Sequence, residues 1–143
     1  MSQASDYLEN KLVDHVFRAA TFAKPAGLYV GLFTTGPSDV GGGTEVAGNG
    51  YARVNVPPSD VNWKATQGGT TGASSGNTGI TTNAVLVAFP TPTAGWGTVT
   101  HFGIWDAPTG GNLLVWSALG AGRLIATGDA PSFAVDGLTV TVA

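Results

Sequence analysis

Trp96-Gly-Thr-Val-Thr-His-Phe-Gly-Ile-Trp105, then Asp106-Ala-Pro-Thr-Gly-Gly-Asn112, then Leu113-Leu-Val-Trp-Ser-Ala-Leu119, is the stretch that decides the fold. Both flanks are rich in β-branched and aromatic residues. The middle holds Pro108, Gly110, Gly111 and two turn-favouring residues, Asp106 and Asn112, so the whole reads as one β-hairpin. Large aromatic side chains bring the most buried area per residue. A chain that sets Trp96, Phe102, Trp105 and Trp116 in one hairpin is therefore expected to have its core there, with the hairpin at the centre of a sheet.

Working outward, 143 residues fit one domain, 1–143, long enough to bury a core without staples. There is no cysteine, which excludes disulfides, thiolate metal sites and a Cys nucleophile. Charged residues make up 10% of the chain, with a net charge of −3, so neither nucleic acid nor an anionic membrane is an expected partner. No basic segment backed by an apolar run opens the chain, so no signal peptide is expected, and runs such as Ala84–Phe89 are too short to span a bilayer. So few charges leave a surface of Thr, Ser, Asn, Gly and apolar atoms, which suits contact with other protein.

Residues 5–20 form the expected helix, with Ser5 as N-cap, Asp6 and Glu9 near the positive end of the dipole and Arg18 in the last turn. At 100° per residue, Leu8, Leu12, Val13, His15, Val16, Phe17, Ala19 and Ala20 share one side, an arc of about half the circumference. The plainer expectation is a helix sunk deeply against its own sheet. The other is a helix wedged between that sheet and a neighbouring copy, with Val13, Phe17 and Ala20 in the interface.

Residues 27–34 read as a strand, and 51–56 as a half-buried one with Tyr51, Arg53 and Asn55 on one face. Residues 64–82 are dominated by Gly, Ser and Thr and are expected to be a flexible loop. Trp63 precedes it, packing at the edge of the sandwich or exposed at a binding surface. Ala84–Phe89 reads as a strand buried on both faces, and Asp136-Gly137 as a hairpin turn between 132–135 and 138–142. Together these give a mainly β chain: an antiparallel, jelly-roll-like β-sandwich or barrel of about seven or eight strands with one N-terminal α-helix.

Residues fit for catalysis are sparse. The two histidines, His15 and His101, lack metal-ligand spacing, and there is no Gly-x-Ser-x-Gly elbow or Gly-Lys-Ser/Thr loop. Asp106, Asp129 and Asp136 sit in turns, where Asp is favoured for its side-chain to backbone hydrogen bonds. No enzyme, cofactor or metal is expected. A carbohydrate-binding module, with Trp63 or Trp96 stacked on a pyranose face, is one alternative to an assembly subunit.

Asp6-Tyr-Leu-Glu-Asn-Lys-Leu-Val-Asp-His-Val-Phe-Arg18, Leu28-Tyr-Val-Gly-Leu-Phe-Thr-Thr35 with Pro37-Ser-Asp39, Gly43-Thr-Glu-Val46 with Gly50-Tyr-Ala-Arg53, and Trp96 through Asp106 with Gly110-Gly-Asn-Leu113 resemble a family of small virion proteins of tailed bacteriophages. Its members are capsid decoration (cement) or tail-fibre-like proteins. The resemblance is weakest over residues 57–83 and carries no catalytic residues. It implies a structural protein of the particle, made in the bacterial cytoplasm. The first expectation is a homo-oligomer on the capsid exterior that binds the major capsid protein. The alternative is a tail-fibre or receptor-binding subunit, whose partner would include a host surface glycan.

Overall fold

The computed structural model describes residues 2–142. In chain order the elements are β1 (Gln3–Ala4), α1 (Asp6–Phe17), β2 (Tyr29–Thr35), β3 (Thr44–Glu45), β4 (Val54–Asn55), β5 (Ile80–Thr82), β6 (Val87–Ala88), β7 (Gly97–Trp105), β8 (Leu113–Ile125), β9 (Ser132–Phe133) and β10 (Thr139–Thr141). Every strand pairing is antiparallel. The chain is mainly β with a helix near its N-terminus, as its alternation and turn residues predict. The ten strands among the described residues outnumber the expected seven or eight, because five of them are two-residue segments too short to leave a periodic signature.

The β7–β8 hairpin lies inside the main sheet, whose order is β1-β8-β7-β2-β3, with β4 also paired to β2. Its turn closes because the Asp106 carboxylate accepts from the Asn112 backbone N–H at 2.7 Å and from its side-chain amide at 2.8 Å. Gly111 is required there: its φ is +73°, and a Cβ would lie 2.5 Å from that of Ala107. Farther along, β7 moves from Val99 to His101 while its partner on β8 jumps from Arg123 to Ala118. Gly120 and Gly122 thus lie in a wide bulge within one long strand.

One face of this sheet carries Val30, Leu32, Phe102, Ile104 and Val115. They pack with Val87, Leu138 and Val140 from the two short sheets, β6–β9 and β5–β10, and with Trp96 and Phe89. The core therefore sits between the hairpin's sheet and the short sheets, a sandwich arrangement.

Three expectations are corrected here. Ala84–Phe89 is covered on one face only: Val87 and Phe89 are buried, while Leu86 before them is 61% exposed and Ala88 between them is exposed too, because β6 belongs to a two-stranded sheet with a single covered side. Asp136-Gly137 does turn the chain, with the Gly137 N–H donating to Ala134 O at 2.8 Å, but the flanking strands do not pair with each other. The buried Asn83 separates them: its amide donates to Ala134 O and Val85 O, and its Oδ1 accepts from the Leu138 N–H, all at 2.8 Å. β9 is thereby sent to β6 and β10 to β5. The third correction concerns the helix.

Candidate interaction surface

Ser5 starts α1 and also anchors it. Its hydroxyl accepts from the Leu8 N–H at 3.3 Å, capping the first turn, and donates to Leu113 O at the start of β8. Beyond that point the helix leaves the core, and none of its residues is buried. Leu8 alone of α1 packs against the central cluster. Tyr7, Lys11 and Asp14, all half-buried, occupy the inward side, and the chain that follows the helix returns toward it. There Phe22 sets its ring edge-on to Tyr7 at 6.5 Å and donates its backbone N–H to His15 Nδ1 at 3.1 Å.

The apolar arc consequently points outward, not into the sheet. Leu12, Val13, Val16 and Phe17 are 37, 49, 62 and 81% exposed and span roughly 140° of the helix at 100° per residue. Val13 and Phe17 share this face, and Ala20 follows, exposed, just past the helix end. Leu12 and Val16 belong to the same surface and lay on the same arc in the sequence. The residue named apart from these three, Trp63, sits elsewhere. It lines a cavity with Leu8, about 13 Å along the helix from Phe17 at 1.5 Å per residue.

That cavity, about 650 Å3, has a floor of Leu28, Ile104, Val115 and Val140 and is walled by residues of the 58–74 segment. The half-buried Trp63 is pinned by its indole N–H, which donates to Val56 O at 3.1 Å. The wall is cross-linked within itself. Gln67 accepts from the Ser75 N–H and donates to Ala73 O, both at 3.0 Å, and the Thr66 hydroxyl accepts from the Gly76 N–H at 2.9 Å. At its far end Lys64 Nζ meets the Asp136 carboxylate at 2.7 Å, and Thr82 donates to the other Asp136 oxygen at 2.6 Å. The Lys64 bond first, and the Thr82 bond second, hold the Asp136 carboxyl below its ordinary range. Trp96, the other candidate for stacking, is buried and donates to Asn49 O at 3.0 Å.

The remaining buried charge is structural. Arg53 grips Glu45 through two bonds of 2.8 Å and donates to Ala107 O and Gly110 O at 2.9 and 2.8 Å, tying the β7–β8 turn to the far edge of the sheet. The Tyr51 hydroxyl donates to the same Glu45 at 2.8 Å and accepts from the Leu32 N–H at 3.0 Å, so Tyr51 and Arg53 do share the face that their alternation predicts. Burial above all, and the Glu45 carboxylate beside it, push the Tyr51 phenol far above its ordinary range. Asp106 and Asp129 each accept a backbone N–H within their own turns, from Asn112 and Ala126. Among the described residues, no three His, Asp or Glu side chains come together as metal ligands, and no helix is long and apolar enough to cross a membrane.

In comparison with known proteins, the family model described as Podophage GP4 fiber I protein gp80 matches residues 3–141. No curated protein matches the chain.

Proposed function

Since the chain belongs to this podophage fibre family, a family of small structural proteins of the tailed-phage virion, we propose that it is a subunit of a tail fibre that acts by contact with protein and not by chemistry. The observation that carries this reading is the match to a fibre-protein family over residues 3–141. It favours the fibre over the capsid exterior, because the family's description names a fibre and nothing in the fold is particular to a capsid lattice.

The outward face of α1 supports the contact half of the proposal. A monomer that left Val16 and Phe17 in water would forgo the burial that seats most amphipathic helices. A second copy is the partner this face fits. Beyond Glu9 near its start the outward arc carries no charge, and Arg18 at the helix end is held by Asp14 at 3.2 Å, so two copies crossing antiparallel bring apolar residues together without opposing charges.

Gold-labelled antibody against the chain, applied to purified particles, tests the location. Label confined to the tail end, with copy number low relative to the major capsid protein, is expected. Label spread over the shell would overturn the fibre reading in favour of capsid decoration.

A further inference from the structure

The cavity beside Trp63 combines features that no apolar packing defect needs. Its volume, about 650 Å3, lies in the range of small-ligand sites, and its floor is apolar while its rim is polar. Asp60 and Lys24 both line it, and neither makes a hydrogen bond or ion pair within the described residues. In a chain with so few charges, two unpaired ones of opposite sign at the rim of one cavity form a specific polar pattern. The hydroxyl-bearing wall at Thr70 and Ser74 belongs to the segment that Gln67 and Thr66 cross-link, so the site is preorganised.

We propose that this cavity binds a neutral saccharide, with the apolar face of a pyranose ring against Trp63 and its hydroxyls reaching Asp60, Lys24 and Ser74. A pyranose hydroxyl both donates and accepts, so it satisfies a free carboxylate and a free ammonium at once. The opposed charges at the rim cancel, and Lys64 Nζ is already held by Asp136, so an acidic sugar finds no net positive field. A purely apolar guest would strip water from the Asp60 carboxylate without replacing its hydrogen bonds. The proposal rests on the cavity itself, and the fibre reading adds only that the saccharide would come from a cell surface.

The test follows the indole N–H resonances of the intact 15N-labelled protein during titration with glucose, galactose, N-acetylglucosamine and, as the acidic counterpart, glucuronic acid. The Trp63 signal is expected to move with at least one neutral sugar while those of Trp96, Trp105 and Trp116 stay in place. Asp60→Asn, at an exposed and unpaired position that leaves the fold intact, is expected to weaken that binding about tenfold through loss of a charge-assisted hydrogen bond. No movement of Trp63 with any neutral sugar, binding indifferent to Asp60→Asn, or tighter binding of glucuronic acid would each overturn the proposal. Sugar binding by a protein that antibody places on the shell would overturn the fibre reading alone, and tail labelling without sugar binding would overturn this one alone.

Discussion

The guanidinium of Arg53 lies 3.8 Å from the centre of the Trp105 ring while holding both oxygens of Glu45 at 2.8 Å. Its side chain is only 7% exposed and that of Glu45 26%, so this is a largely buried ion pair with a cation–π contact on one side. Breaking such a pair leaves a half-buried carboxylate uncompensated, and lysine cannot reproduce the planar fork. Arg53→Lys is expected to cost about 2–4 kcal/mol, read from the urea unfolding midpoint. A paired Arg53→Met, Glu45→Gln variant should recover part of that loss, since it removes both charges while the amide oxygen still accepts from the Tyr51 hydroxyl. Equal losses for the single and paired variants would contradict this account.

Gly31 lies on the same face of β2. A Cβ built there would fall 2.6 Å from the Tyr51 hydroxyl and 2.7 Å from Trp105. Tyr51 is held by two hydrogen bonds and Trp105 lies between Phe33 and the Arg53 guanidinium, so neither can move freely. Gly31→Ala should destabilise the protein by about 1–3 kcal/mol through overpacking, measured by thermal or urea unfolding. A neutral or stabilising effect would mean that this network is looser than its geometry.

Asn83 is fully buried, and its side chain serves three backbone groups. Alanine would leave the Leu138 N–H and the Val85 carbonyl without these partners in an apolar setting, and would take one of its two bonds from Ala134 O. Asn83→Ala is expected to cost about 3 kcal/mol or more and to loosen β9 and β10 together, which amide exchange at residues 132–141 would report.

Asp136 supplies a pH dependence. Its carboxyl is held below its ordinary value, so the folded state binds that proton less readily than the unfolded chain. The associated stability is present above the unfolded-state value of about 3.9 and is lost as pH falls through the lower folded value. Asp136→Asn should therefore flatten the part of the stability curve below about pH 4 and leave its shape near neutrality unchanged. Unfolding midpoints measured across that range in both proteins check the sign.

What could be read from the sequence tracks how local its cause is. The β7–β8 hairpin was legible because its turn chemistry, from Asp106 to Asn112, lies between the strands that it joins. The Asp136-Gly137 turn misled for the converse reason: the residue that parts β9 from β10 is Asn83, some fifty positions away. Helical projection found the apolar arc of α1 but could not tell which side the body of the protein lies on. Phe22, returning along the helix, and Ser5, bonded to Leu113, fix that orientation through contacts that leave no periodic trace. Composition likewise marked residues 64–82 as a loop without revealing its internal hydrogen bonds, the short strand β5 at its end, or that Lys24 and Asp60 would line one cavity with Trp63.

If, as we propose, the protein works by joining copies of itself through the outward face of α1, sedimentation of the purified chain reads that association out without any other component. The natural sequence should sediment as an oligomer, and a Val16→Ser, Phe17→Ser variant as a folded monomer with an unchanged unfolding midpoint, because neither side chain reaches the core. A natural chain that stays monomeric at every concentration, or an oligomer that the two substitutions leave intact, would contradict it.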